Sequence, residues 1–282
     1  MLPKRPSPIR IVAIPSNLFI DASLLEKSVR IGFVARTLAI FRVEKVILYG
    51  VEKSKREKEN ARILKKILEY LECPQYLRKR IFKKDPVLRY VGLLPPLRTP
   101  HHPLKNEKTR YREGVITARH GDRILVDIGL EEEVEIVVKK ALKIGERIPV
   151  KIFYDSEGNI LKTKIAEKSE INLYWGYEVV LANDLLAAIE KASADFIVAT
   201  SRWGTLINSI VTEFSKRIKK SEKMLVLFGS QKEGLFEISK KIGVKLEDLV
   251  DFVVNFIPEQ GTATVRTEEA VMASLSIINF LN

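Results

Sequence analysis

The sequence predicts an α/β protein built on a parallel sheet and interrupted by a small all-β barrel. Three observations predict it. The first fifty residues run strand, helix, strand, a βαβ order that makes the two strands parallel. From Tyr111 the apolar period changes to two. After Lys168 the α/β rhythm returns and holds through the last segment.

Ile9 to Ile14 is a short β-branched run ended by Pro15. Residues 22–42 are helical, with Leu25, Val29, Phe33 and Ile40 on or near one stripe. Lys45 to Tyr49 forms the second strand, closed by Gly50. A charged helix covers Lys55 to Glu72, Pro74 punctuates, and a short basic helix runs to about Phe82. Four of the twelve prolines, Pro95, Pro96, Pro100 and Pro103, then mark a boundary. Short strands follow, separated by His120-Gly121-Asp122 and Gly129, and Asp155 to Asn159 is a hairpin turn between two more. About five strands in under about sixty residues suggest a barrel of the OB type, with a β-sandwich fragment as the alternative. The expected division is residues 98–166 for the barrel and 1–97 with 167–282 for the α/β domain.

Beyond the barrel, YWGYEVVLA reads as a strand and Asp184 as the N-cap of a helix through Ala192. Asp195 to Ala199 is a strand running into TSRWG (200–204). A helix from Leu206 to Lys219, the strand MLVLF, the loop GSQKEG (229–234) and a helix to Ile242 come next. Asp251 to Phe256 is a strand that stops at Pro258, and Gly261 lies in the loop after it. Thr267 is expected to cap a final helix, with Glu268 and Glu269 where the helix dipole favours negative charge. Val271, Leu275 and Ile278 repeat there at helical spacing.

The formal charge of +12 is unevenly spread. Residues 1–110 hold 25 Lys+Arg against 10 Asp+Glu, residues 111–168 hold 11 against 11, and residues 169–282 hold 12 against 15. Lys53, Lys55, Arg56 and Lys58 form one cluster, and Arg78, Lys79, Arg80, Lys83 and Lys84 another. Such an excess is the footprint of a phosphate-backbone partner, or a solvated Lys-rich surface of the heat-adapted kind. The single cysteine, Cys73, excludes an internal disulfide and argues against a cysteine-based zinc site. No apolar run approaches the ~18 residues of a membrane span, and the N-terminus lacks a signal-peptide core, so a cytoplasmic protein without a membrane partner is expected.

His101 and His102 invite a metal reading, but no Cys or acidic spacing accompanies them; a polar linker is the plainer expectation, and no metal ligands are assigned. Arg98, His101 and Lys105 are open to RNA contact instead. In the barrel Tyr111, Arg112, Arg119, Lys162 and Lys164 alternate with apolar positions, as on a nucleic-acid-facing surface or a plain scaffold.

Three strand ends carry small or Gly-containing segments: TSRWG, GSQKEG and IPEQGT (257–262). In an open α/β sheet ligands bind outside the carboxyl ends of strands, so these segments can converge on one site. No GxGxxG and no GxxxxGK[ST] is present, so dinucleotide and P-loop readings lack their fingerprint.

The segment NFIPEQGTATVRTEEA resembles the C-terminal motif of the SPOUT methyltransferases, and the three segments together resemble the cofactor loops of that fold. VRIGFVARTLAIFRVEKVILYG is similar to the first helix and second strand of the superfamily, and YVGLLPPLRTPHH, YREGV and YWGYEV to its archaeal and eukaryotic branch with an inserted barrel. The resemblance implies a C-terminal trefoil knot that holds S-adenosylmethionine, a homodimer through the knot region, and RNA as substrate, ribosomal rather than transfer RNA. It implies cofactor contacts, largely through backbone groups, at Thr200, Phe228, Gly229, Ser230, Gly234, Asn255, Ile257, Pro258, Gly261, Thr262, Thr264 and Val265. Arg36 matches the arginine near the methyl acceptor, as a catalytic or RNA-holding group, and Lys79, Arg80 and Arg112 are assigned to RNA. Proton removal is open to Glu259, Glu268 or a partner-subunit group. The alternatives are a non-catalytic RNA-binding or ribosome-assembly factor of the same fold, and a nucleotide-binding enzyme acting on a small molecule.

Overall fold

The computed structural model describes residues 3–282, so the first two residues of the basic, Pro-rich N-terminal segment lie outside it. The described chain divides into two compact units, one of residues 6–69, 87–95 and 177–282, the other of 3–5, 70–86 and 96–176.

The first unit is α/β. Its strands are β1 (Ile9–Pro15), β2 (Val43–Tyr49), and later in the chain the four strands Glu178–Ala182, Phe196–Leu206, Lys223–Leu227 and Phe252–Asn255. With the five strands of the second unit numbered β3 to β7 in chain order, these four are β8, β9, β10 and β11. The sheet order is β11-β9-β10-β1-β2-β8, all parallel. Arg10 to Pro15 of β1 are all buried, as in a parallel strand covered on both faces. Ile11, Ala13, Ile47, Leu225 and Leu227 meet Leu185 of a helix at Leu185–Ala192 and Leu235 of a helix at Leu235–Lys241 in one core. Asp184 caps the former, its carboxylate accepting from Ala187 N at 3.0 Å.

Helix α1 (Leu24–Ile40) is capped by Ser23, whose Oγ accepts from Glu26 N at 3.2 Å. It buries Ile31, Val34, Ala35 and Leu38, whereas Leu25, Val29, Phe33 and Ile40 are 43%, 51%, 43% and 50% exposed. The helix is apolar on two sides, so helical spacing alone picks out a stripe without telling which side the sheet takes. Helix α2 (Lys55–Glu72) matches its expected span. The last helix, Thr267–Leu281, packs against α1, and Val271, Leu275 and Ile278 are buried.

The second unit is an antiparallel five-stranded sheet ordered β5-β4-β3-β6-β7, made of β3 (Tyr111–His120), β4 (Arg123–Asp127), β5 (Val134–Val137), β6 (Arg147–Tyr154) and β7 (Ile160–Ile165). It is nearly closed: across the remaining seam Thr163 Oγ1 donates to Glu135 O at 3.4 Å. Ile116, Ile124, Val126, Ile136, Ile148 and Val150 fill it. Helix α3 (Gln75–Ile81) belongs to this unit, because Leu77 and Cys73 pack on Val115 of β3. The unit is therefore larger than the 98–166 segment expected.

His101 and His102 are buried, not an exposed linker. His101 Nε2 donates toward Glu72 Oε1 and Glu72 O, both at 3.0 Å, while its Nδ1 faces Thr99 Oγ1 at 3.1 Å. Arg147 reaches Glu72 Oε2 at 2.7 Å and Glu113 Oε1 at 3.4 Å, and Trp175 Nε1 donates to Glu113 Oε2 at 2.6 Å. Gly176, at φ +81, lies against this cluster, where a Cβ would stand 2.5 Å from both Glu72 and His101. The left-handed turn there delays strand β8 to Glu178, so YWGY is not strand.

Candidate active site

The site forms where β9, β10 and β11 end. Val253 of β11 pairs with Ala199 of β9, and the next residue, Val254, pairs with Thr205. Residues 200–204, expected as a loop, are thus a bulge extruded from a strand that resumes afterwards. Gly204 lets it close: a Cβ there would sit 2.6 Å from Val253 O and 2.8 Å from Val254 C. The strand order also reverses here, since the connections leaving β9 and β10 carry the chain to opposite sides of β9. Such a switch point is where α/β sheets open a crevice.

Three strips of backbone meet around this opening. Thr200 Oγ1 donates to Leu227 O at 2.9 Å, tying the bulge to the end of β10. Phe228 is held from both sides, its N–H donating to Ala13 O at 3.0 Å and its carbonyl accepting from the buried Tyr49 hydroxyl at 2.6 Å. Burial and nearby Glu57 push the Tyr49 phenol up, so it remains a donor. Ser230 Oγ accepts from Glu233 N at 2.9 Å and closes the turn that follows. Asn255 Nδ2 donates to Arg202 O at 3.1 Å, and Arg202 donates to Ala263 O at 2.8 Å, so the last loop is laced to the bulge. Thr267 Oγ1 donates to Gly229 O at 3.3 Å, lacing the same segment to the loop after β10. Thr267 is accordingly the first helical residue and not the cap; Arg266 precedes it, and Glu269 accepts from its N–H at 2.9 Å.

The cavity enclosed is about 470 Å³, within the size range of small-molecule sites. Of the expected cofactor residues, Thr200, Phe228, Gly229, Ser230, Gly234, Asn255, Ile257, Thr264 and Val265 line it, whereas Pro258, Gly261 and Thr262 lie in the same loop without lining it. Neither Gly229 nor Gly261 has a positive φ, so neither is present for a left-handed turn.

Sequence reasoning missed Trp203, Glu233, Phe236 and Glu237, which also line the cavity. Trp203 is 71% exposed, with the Arg202 guanidinium 4.6 Å from its ring centroid. Glu233 pairs with Lys241 through one oxygen, while Oε2 is buried with no partner. The position of both in Gly-bearing segments was the available signal. Arg36 does not line the cavity, nor do Glu259 and Glu268. Glu268 is committed elsewhere, 2.8 Å from the Arg30 guanidinium.

Among the expected RNA contacts, Lys79 is exposed, and Arg80 is paired with Asp127 at 2.9 Å and Glu133 at 3.0 Å. Arg112 must be removed from that set. It is fully buried and donates to the carbonyls of Ile128, Leu104 and Glu107 at 2.8, 3.1 and 3.3 Å, a structural clasp no RNA can reach. His101 is excluded by the same burial.

The sequence pattern of the family described as "Putative RNA methyltransferase" matches residues 10–278. The chain belongs to that family. It is 33% identical, over 97% of its length, to a Drosophila melanogaster protein named "28S rRNA (uridine-N(3))-methyltransferase", and spans 62% of that relative. A human protein of the same name is 32% identical over 95% of this chain, which covers 77% of it. A solved structure titled as a "putative methyltransferase" of Legionella pneumophila with bound cofactor SAM aligns with 98% of this chain at a TM-score of 0.40 and 10% identity, too distant to bear on the site.

Proposed function

We propose that the protein transfers a methyl group from S-adenosylmethionine to a uridine N3 of large-subunit ribosomal RNA. The observation that carries the reading is the cavity at the ends of β9, β10 and β11, walled by backbone strips, in a member of an RNA methyltransferase family. The cavity suits this cofactor. Phe228, Ile257 and Val265 supply apolar wall, and the unpartnered Glu233 Oε2 is an acceptor for a nucleoside hydroxyl or amine. Bound there, S-adenosylmethionine supplies an electrophilic methyl on a sulfonium.

The protein's own part is positioning. Loops pinned through Tyr49, Thr200 and Thr267 fix the reacting geometry in advance, and Trp203 offers a face on which an unstacked base can lie. The Glu237 carboxylate lines the cavity and can take up the proton that leaves N3.

Finer features of the reading belong with it. A SPOUT knot is supported by the segment 255–267, laced to the bulge on one side and to the 229 loop on the other. An OB character is supported by the strand order of the antiparallel unit, with β5 and β7 at the seam. A homodimer is supported by the exposed apolar stripe of α1, which also carries Arg36 between Phe33 and Ile40, so that a second copy can bring its arginine to the cavity. A cytoplasmic location remains part of the proposal.

Calorimetric titration with S-adenosylmethionine and S-adenosylhomocysteine, on a sample of known oligomeric state, tests the reading. Saturable micromolar affinity, followed by methylation of a uridine in added large-subunit rRNA, is expected. No affinity in a well-folded dimer would leave a non-catalytic RNA-binding factor.

A further inference from the structure

The outer face of β3, β6 and β7 carries rings and cations in register. Tyr111 lies opposite Lys151, and Lys151 opposite Lys164; farther along, Phe153 lies opposite Lys162. Strand alternation puts Lys151 and Phe153 on one face, with Ile152 between them in the core. The cations sit over the rings. Lys151 Nζ is 5.8 Å from the Tyr111 centroid and 5.6 Å from that of Phe153, and the Arg110 guanidinium is 5.8 Å from Tyr111. Phe153 is 37% exposed despite having a core beneath it. On this face Glu113 is buried against Trp175 and Arg147, and Glu170 is the carboxylate that meets the lysines, 3.2 Å from Lys151 Nζ and 3.5 Å from Lys164 Nζ.

We infer that this face binds single-stranded RNA, with phosphates on Lys151, Lys162 and Lys164, bases stacked on Tyr111 and Phe153, and Glu170 holding the two-lysine position that a phosphate takes. The inference rests on the RNA reading above and adds to it a contact surface on the barrel unit. Two amines converging on one anion make a ready anion site, and rings interleaved with cations are what a splayed single strand uses. An acidic peptide would meet the same cations but gain nothing from the ring faces. Duplex RNA would keep its bases stacked away from them.

The test is fluorescence anisotropy of the full chain with a labelled single-stranded oligouridylate, at several salt concentrations, with cofactor titration on the same samples. The double substitution Lys162→Glu, Lys164→Glu should weaken binding tenfold or more, and lower the slope against log salt by roughly 1.4, about 0.7 per phosphate on a single strand. Phe153→Ala should weaken it about tenfold without changing that slope. Glu170→Gln should tighten binding about threefold, a gain that misfolding does not mimic. Arg123→Glu, on β4 and paired with Glu135, should leave it unchanged.

Wild-type affinity in the Lys162/Lys164 variant, equal loss in the Arg123 variant, or displacement by oligoglutamate at matched ionic strength would each overturn the assignment. If the wild type titrates cofactor and methylates rRNA while the double variant binds RNA normally, only this inference falls. If the wild type has no affinity for RNA, both fall.

Discussion

Glu72 keeps its charge at 7% exposure because its partners outweigh its burial. Burial alone would push its pKa up; Arg147 and His101 pull it down to about 2. His102 is driven the other way from the ordinary imidazole range, to about 3, by burial and by neighbouring His101. Both shifts bear on acid stability with the same sign. The carboxylate's contribution is complete above its unfolded pKa of 4.5 and is lost as pH falls toward 2; the neutral imidazole's is complete above 6.5 and is lost as pH falls toward 3. The barrel unit should therefore lose stability progressively below pH 6.5. With Trp203→Phe leaving Trp175 as the sole tryptophan, its fluorescence melting at pH 7, 5 and 4 measures this directly. Glu72→Gln should cost about 1–3 kcal/mol at pH 7, because Arg147 and His101 lose their charged acceptor and Arg147 keeps only Glu113, 3.4 Å away. A melting temperature within a degree of wild type would refute that account. None of this was legible in the sequence: His101-His102 beside a run of prolines reads as a linker, and only long-range contact with Glu72 and Arg147 makes it core.

Among the elements, the bulge at 200–204 decides whether a cavity exists. Gly204→Ala forces a methyl against the β11 backbone and should cost about 1–3 kcal/mol, with cofactor affinity falling at the same time. Gly261→Ala meets nothing within 4 Å, so its melting temperature should be unchanged, and any loss of affinity there reports the ligand itself. Thermal melts and calorimetry of the pair separate scaffold from contact. Periodicity and punctuation revealed almost every element, α2 to the residue, because Pro, Gly and β-branched runs act locally. TSRWG was misread for a physical reason: the strand resumes after it only because β11 offers a partner, and pairing between distant segments leaves no local mark. The stripe of α1 told of a helix but not of its packing, since both its sides are apolar and the sheet selects one.

For the whole molecule, Arg36 points to a second copy: it is matched by resemblance yet absent from the cavity of its own chain. If a second copy supplies it, Arg36→Ala and Gly229→Val proteins, each inactive alone, should regain about one quarter of wild-type activity when mixed and allowed to exchange subunits. A mixture that stays inactive despite proven exchange would remove the arginine from the partner's site. Under the proposed function, the basic excess of residues 1–110 should show as steep salt dependence of RNA affinity, and a flat dependence would assign it to a solvated surface instead. The division into units was only half disclosed. Prolines mark where the chain leaves the α/β rhythm, but not that Tyr70 to Pro86 and the N-terminal residues side with the barrel.

That membership limits how the barrel can be inherited or moved. The unit is stitched from three separate stretches, down to Tyr174 N donating to Pro3 O at 3.1 Å. Excising 98–166 at the prolines would strand Glu72 without Arg147 and uncover Cys73 and Leu77. A lineage could replace the barrel's loops freely, yet could not exchange the barrel as a cassette without carrying a helix and the end of another along with it.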